Sequence, residues 1–279
     1  MATRKHQWMV DDRLWELIVP LIPAQPPPRG PGGRPRIEDR AALEGILFVL
    51  HTGCRWRDLP VELGCGSGHT AWRRLRQWQE AGVWEKLHRA VLEELSEEEI
   101  LDWSRASVDW VSVRSKKGGE LTGPNPTDRG KPGTKYHLLT DRNGLPLHVL
   151  ASAANTHDSR LFEPLLETNP GVRGRRGRPG RPRRPRRPEK LHADKGYDYP
   201  RCRRYLHRRG LKVRIARRGI EDRNHLGRHR WVVERTISWV LRFKRLGLRY
   251  DRTTTTLLPL LLLAVTLINL RRLRQARGL

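Results

Sequence analysis

The stretch Lys135-Tyr136-His137-Leu138-Leu139-Thr140-Asp141-Arg142-Asn143-Gly144-Leu145-Pro146-Leu147-His148-Val149-Leu150-Ala151-Ser152 decides the fold. Two apolar segments, 135–140 and 147–152, flank Asp141-Arg142-Asn143-Gly144. An Asn-Gly pair between such segments signals a hairpin, because both residues tolerate the positive φ of a tight turn. Upstream, Ser107–Arg114 (SVDWVSVR) is short and β-branched. Three successive antiparallel strands are therefore expected.

Downstream the pattern alternates: a helix over Asp158–Glu167, a short strand at Leu191–Ala193, a helix over Pro200–Arg209 and a strand at Lys212–Ala216. Two closing helices are expected over about Arg228–Leu246 and Thr256–Arg274. Three strands, then helix, strand, helix, strand and closing helices is the order of an α/β, ribonuclease H-like fold, a mixed sheet flanked by helices. Before it, residues 11–95 read as all-α. A helix near Asp11–Ile18 runs into a proline-rich bend, a second starts at Glu38-Asp39, and a fourth spans roughly Trp84–Leu95. Between them, Asp58-Leu59-Pro60 and glycines 64, 66 and 68 lead into a helix at Thr70–Trp78, whose outward face would offer Arg73, Arg74 and Arg76 to DNA. That helix-turn-helix-like order suits a major-groove reader. Residues 1–101 are thus expected to form a helical DNA-binding domain and 102–279 the α/β domain, with the acidic cluster Glu93, Glu94, Glu97, Glu98 and Glu99 as a linker or solvated face.

Charge separates the two parts. The chain carries a formal +26. Residues 1–101 hold 14 Lys+Arg against 15 Asp+Glu, whereas 102–279 hold 42 against 15. A field this positive calls for a polyanion. The segment 171–188 (GVRGRRGRPGRPRRPRRP) has nine arginines and no acid, so it cannot bury a core and reads as a loop. Its Arg175, Arg176, Arg178, Arg183 and Arg184 are expected to lie along phosphates, where neutralisation releases counterions. Three cysteines are too few for a disulfide framework, and a reducing cytoplasm is the expected compartment. The apolar run Leu257–Leu270, 14 residues with Pro259 inside, falls short of the roughly 20 that span a bilayer. It is read as a buried core helix, not a membrane segment.

In so basic a chain, acids within apolar elements stand out. Asp109 is central in Ser107-Val108-Asp109-Trp110-Val111, Asp194 ends Leu191-His192-Ala193, and Glu234 sits in Trp231-Val232-Val233-Glu234, four residues after Arg230. Carboxylates of this kind can hold hard cations, and two cations about 3.5–4 Å apart assist phosphodiester transfer. Each acid also has a structural reading: Asp109 as an acid facing solvent, Asp194 as a helix cap, Glu234 as a partner of Arg230.

The ordered stretches Gly45-Ile46-Leu47-Phe48-Val49-Leu50-His51-Thr52-Gly53-Cys54-Arg55-Trp56-Arg57-Asp58-Leu59-Pro60, Lys135–Asp141, Asn155-Thr156-His157-Asp158, Ala193-Asp194-Lys195-Gly196-Tyr197-Asp198 and Arg230-Trp231-Val232-Val233-Glu234-Arg235-Thr236 resemble bacterial insertion-sequence transposases of the "insertion sequence five" type, a DDE family. The resemblance places the three acids at Asp109, Asp194 and Glu234, separated by 85 and 40 residues, with Arg230 orienting Glu234. It implies Mg²⁺ or Mn²⁺ (two ions), cleavage of double-stranded DNA at terminal inverted repeats, joining to target DNA, at least a dimer when two ends are synapsed, and a place at the bacterial nucleoid. The family's tyrosine and lysine positions hold Gly227 and Leu241, so Arg242 or Lys244 is expected to take over the phosphate contact. Trp110 is bulkier than the residue expected after the first acid.

Rival readings are a decayed or domesticated transposase that only binds DNA, and an RNA-binding protein with an arginine-rich arm. His51, Cys54, Cys65 and His69 mimic a zinc set, but in an order that departs from usual zinc spacings. Asp158 is expected to cap its own helix, Asp141 to serve the hairpin turn, and tryptophans 56, 72, 78 and 84 to pack the helical domain.

Overall fold

The structure, a computed structural model, describes residues 9–24, 36–173, 185–220 and 223–278, and only the backbone for 223–230. The chain opens with α1 (Asp12–Ile18), capped by Asp11, whose carboxylate accepts from the Leu14 amide. Next come α2 (Asp39–Thr52), α3 (Gly68–Glu80) and α4 (Val83–Glu97). Trp78 and Trp84 pack 5.7 Å apart in the core that these helices enclose.

The α/β part follows: β1 (Ala106–Arg114), a two-residue β2 (Gly123–Pro124), β3 (Pro132–Asp141), β4 (Pro146–Ala153), α5 (Asp158–Glu167), β5 (Lys190–Ala193), α6 (Pro200–Arg208), β6 (Lys212–Ile215), α7 (Arg223–Leu241), a short α8 (Lys244–Gly247) and α9 (Thr254–Ala276). β3 pairs antiparallel with β1 on one side and with β4 and β2 on the other, while β5 and β6 add in parallel beyond β1. Three antiparallel strands extended by two parallel ones make the ribonuclease H-like mixed sheet. The expected closing helix over 228–246 is broken: α7 stops at Leu241, and Phe243 starts α8 from an extended backbone.

The β3–β4 turn fixes where α7 lies. Asp141 is buried and accepts from the amides of Asn143, Leu145 and Asp102. It serves the turn, as expected, and also ties down the segment that leads into β1. Gly144 has φ +83, and a Cβ there would stand 2.9 Å from the Val232 carbonyl. Only glycine lets α7 approach this closely. The helix is held there by Thr236, whose hydroxyl donates to the Gly144 carbonyl, and by Arg235, which donates to the Asn143 carbonyl at 2.5 Å.

α9 contains the apolar run and is long and apolar enough to cross a membrane by composition, yet 72% of its most apolar window is buried in the protein. It packs against α3, α4 and β4, so one continuous apolar core serves both parts. Burying each leucine contributes about 1.5–3 kcal/mol, which makes α9 the main adhesive of that seam. A polar lock adds to it. Arg245 and Asp251, both buried, form a bidentate pair at 2.8 and 2.9 Å. Trp56 Nε1 donates to Asp251 and Arg245 donates to the Cys54 carbonyl, joining the loop after α2 to α8.

Of the acidic cluster, expected as a linker or a solvated face, Glu97, Glu98 and Glu99 are exposed, and three of its members also form ion pairs. Glu94 meets Arg13 and Arg277, Glu98 meets Arg277, and Glu93 meets Arg173. Partners so distant in sequence leave no local signal.

His88 is fully buried at the seam, its ring nitrogens 3.0 Å from Thr266 Oγ1 and from the Leu147 carbonyl. Burial pushes its pKa down to about 4. In the unfolded chain it returns to about 6.5, so on acidification the unfolded state takes the proton first. The stability that the neutral ring supports is whole above about pH 6.5 and drains away toward pH 4, by roughly 3 kcal/mol. His137 and His148, each lowered to about 3 by burial, act in the same sense. Asp141, raised to about 6 by burial, opposes them, since its folded form holds a proton that the unfolded form releases. Three groups against one predict a melting temperature that falls from pH 7.5 to pH 5. His88→Gln, which keeps polar atoms but cannot titrate, should flatten that fall; an unchanged slope would contradict the assignment.

Candidate active site

Strand register relates the positions of Asp109 and Asp194. Ala106 pairs with Leu191 and Ser107 with His192 in the parallel β1–β5 ladder. The offset is 85, the same as the separation of the two aspartates. Asp194 follows β5 directly and keeps an extended backbone (φ −79, ψ −180). The ladder ends at Ser107–His192, two residues before Asp109 on β1 and before Asp194, which lies just past the end of β5. Residues that pair side by side in a parallel ladder share a face, so both carboxylates leave the same side of the sheet as Ser107 and His192. Tyr136, on that side of β3, donates to the Leu246 carbonyl, so the face lies beneath the α7–α8 segment.

Each carboxylate is aimed by a backbone amide. Asp109, 8% exposed, accepts from Trp110 N at 2.9 Å. Asp194 is half-buried and accepts from Gly196 N at 2.9 Å, capping the short 3₁₀ turn Lys195–Tyr197. Asp194 is therefore a cap as well as half of a carboxylate pair.

Glu234 is not gathered with them. It is exposed on α7, whose buried face carries Val233, Thr236, Ile237 and Val240. Its neighbours Arg235 and Thr236 bind the β3–β4 turn, beyond the Ala106 end of β1. Among the described residues, no group of three or more His, Cys, Asp or Glu side chains stands close enough to hold a metal ion. The side chain of Arg230 lies outside the described residues.

A second layer, built on Lys135 and Asp158, buttresses the turn after Asp194. Lys135 is buried in β3 on the opposite face from Asp109, with Nζ 2.6 Å from Asp158 Oδ1, 3.0 Å from the Thr156 carbonyl and 4.2 Å from the centre of the Trp110 ring. Trp110 is thus the apolar and π floor of a buried cation. Asp158 Oδ2 would stand 3.6 Å from a Cβ at Gly196, so the pair abuts the Asp194 turn. Asp158 does not cap α5: His157 does, its Nδ1 accepting from Ser159 N, while Nε2 meets Tyr199 Oη at 3.1 Å. Beyond the turn, Arg218 donates to the Lys195 carbonyl and to Asp198, and Arg203 donates to Asp198. The Arg218 amide and these guanidinium groups hold the Asp198 carboxyl below the usual carboxylate range. A lysine amid apolar strand residues was the available signal for this layer.

The expected DNA-facing residues divide. Arg73 is exposed on α3, but Arg74 is buried against Asp39 at 3.3 Å, and Arg76 is half-buried over Trp72 at 4.8 Å. Arg74 thus belongs to the packing of α3 on α2, correcting its assignment to an outward face. Arg242 and Lys244 are exposed on either side of Phe243. Arg175, Arg176, Arg178, Arg183 and Arg184 lie outside the described residues. The base of their segment is closed by the Arg173–Pro185 bridge and by Arg186 N donating to the Val172 carbonyl. The four zinc-like residues are spent separately: His51 bonds the Leu47 carbonyl and meets Phe243 edge-on, buried Cys65 has its thiol pushed up to about 11 by burial, Cys54 gives its carbonyl to Arg245, and His69 leans on Trp72.

Two family descriptions match successive parts of the chain. The family described as "Transposase DDE domain" matches residues 104–269, and "Putative transposase of IS4/5 family" matches residues 10–88. The chain is 54% identical over 120 residues to "Insertion element IS402 uncharacterized 16.2 kDa protein" of Burkholderia cepacia, covering 42% of this chain and 81% of that protein. It is 43% identical over 159 residues to "Putative transposase for insertion sequence element IS402" of the same organism, covering 57% of this chain and 73% of that protein. Among solved structures, "Mos1 transposase paired-end complex with left transposon end" aligns with a TM-score of 0.25 and 13% identity over 79% of each chain, too low to carry an argument.

Removing one member of a buried ion pair leaves the other charge uncompensated, at a cost of about 3–5 kcal/mol. Lys135→Met is therefore expected to destabilise the protein by about 3 kcal/mol in urea unfolding, and Lys135→Met/Asp158→Leu to recover much of the loss. A single-variant loss within about 0.5 kcal/mol would contradict the buried-pair description.

Proposed function

The chain belongs to the DDE-domain transposase family, and on that premise we propose that Asp109 and Asp194 are the paired carboxylates on which its DNA cleavage and strand transfer depend. The protein is a DNA transposase, an enzyme that cuts and rejoins DNA strands. The observation that supports the residue assignment is the β1–β5 register, whose offset of 85 equals the separation of the two acids and, by strand alternation, gives them a common face.

The family depends on a divalent metal, and the donor set fits a hard cation: two carboxylates, one buried and one half-buried, each with an oxygen held by a backbone amide. We assign Mg²⁺ or Mn²⁺, two ions in the working complex. Such ions supply charge relief on the phosphate and lower the pKa of an oxygen nucleophile. The chain's own part is orientation. Trp110 N and Gly196 N aim the carboxylates, and the Lys135–Asp158 pair backs the turn that carries Asp194. Glu234 enters the reading through family resemblance alone, as does Arg230.

The substrates in this reading are duplex DNA at terminal inverted repeats and a target duplex, contacted by Arg73, Arg242, Lys244 and the arginine-rich segment. Synapsis of two ends calls for at least a dimer. The compartment is the bacterial cytoplasm, at the nucleoid.

Asp109→Ala and Asp194→Ala should each reduce Mg²⁺-dependent nicking of transposon-end DNA by at least about 10²-fold, the scale of one lost transition-state contact. Gel-shift affinity should hold. Nicking retained in either variant would overturn the pair. Glu234→Ala measured alongside decides the third acid: loss of nicking brings it into the site, and retention leaves the pair without it.

A further inference from the structure

α6 and β6, at the free edge of the sheet, present cations for which the site described above has no use. Arg201, Arg204 and Arg208 recur at i, i+3 and i+7 and are exposed along one face of α6. Lys212 and Arg214 are exposed on one face of β6, and Arg217 follows them. The surface is concave on both sides of the helix. A groove of about 530 Å³ lies between α6 and β6, with His207, Lys212, Arg214 and Arg217 in its walls. A second, of about 500 Å³, lies on the other side, walled by Arg201, Arg204, His207 and Arg208 with Glu163. α6 is a ridge between two basic troughs.

Around the helical unit, by contrast, Arg13, Arg40, Arg74, Arg274 and Arg277 pair with carboxylates. At this edge Arg203 is the scaffold, binding Asp198 and donating to the Ile215 carbonyl, which ties α6 to β6. The troughs also point at the candidate site. Ala193 pairs with Ile215, so Ala216 is level with Asp194 and Arg217 lies one residue beyond.

We propose that the α6–β6 edge is a duplex-DNA track, whose cations hold the phosphodiester backbone of the DNA segment running outward from Asp194. Phosphates repeat along a duplex at one charge per about 1.7 Å of axis, which suits a row of cations on a ridge with flanking troughs better than a single anion would. The binding chemistry stands on the edge itself; only its direction rests on the reading of Asp194. An exposed edge strand also gains from cations as a guard against pairing with other chains, and the test separates the two roles.

The full-length protein and an Arg204→Gln/Arg208→Gln/Lys212→Gln/Arg214→Gln variant are titrated in EDTA with two fluorescent duplexes, one carrying a terminal repeat and one of unrelated sequence, across a salt series. Losing up to four phosphate contacts should make the plot of log affinity against log salt shallower by about 3–4. A shallower slope on both duplexes marks a track that takes any duplex, target included; a change confined to the terminal-repeat duplex marks the segment as the transposon end. An Arg204→Lys/Arg208→Lys/Arg214→Lys variant should keep the parental slope. Should the four-fold variant fail to fold, Arg208→Gln alone should still lower the slope by about 1. An unchanged slope in folded variants overturns the track and leaves edge protection. Binding in EDTA does not draw on the carboxylate pair, so nicking retained by Asp109→Ala would overturn that pair and leave this result standing.

Discussion

The parallel pairing of β1 with β5 is the constraint on which the rest of the molecule depends. Everything before it is local: β1, β3 and β4 form a meander that short connections can close. Two residue pairs, Ala106–Leu191 and Ser107–His192, then fasten the second half of the sheet to the first. Side chains alternate with a period of two along a strand, so a slip of one residue would put Asp194 on the opposite face from Asp109. The register is fixed from the face opposite the carboxylates and from the turn that follows. Val108, Leu191 and Ala193 are buried, and the turn after Asp194 is tied to α5 and to the end of β6. A short parallel ladder has little strength of its own, which is why so many side chains brace the Asp194 turn.

The helical unit is fused to that sheet. α9 lies between α4 and β4, His88 bridges α4 to both, and the Arg245–Asp251 pair reaches back to Cys54 and Trp56. Whatever Arg73 on α3 touches is therefore held at a set distance from the carboxylates, because one apolar core joins the two. A transposase that must bind a DNA end and cut it at a defined position gains from such rigidity.

Much of this was legible in the residues. The strand-turn-strand pattern at 135–152 and the alternation that follows specified the sheet, since apolar period and turn chemistry are local properties. Asp109 and Asp194 stood out as acids in apolar strands, and the β1–β5 register has the same offset of 85 that separates them. Glu234 was a different case. Its helix is amphipathic in sequence, but which flank meets the sheet depends on Thr236 and Arg235 docking on a turn 92 residues away. Arg74 was misread for a related reason: an arginine stem can lie in a core when its head finds an acid, here Asp39 on the preceding helix. Trp110, a departure in sequence terms, has a role once Lys135 is seen above its ring. Long-range partners decide such positions, and periodicity does not encode them.

We propose that Asp109 and Asp194 act as one cation-binding unit. Mn²⁺ affinity, followed by electron paramagnetic resonance on the parent chain, Asp109→Asn, Asp194→Asn and the double variant, tests it most directly. Either single substitution should weaken Mn²⁺ binding strongly, and the double variant should be scarcely worse, because each removes half of a shared site. Independent, additive effects, or Mn²⁺ binding indifferent to both, would contradict it.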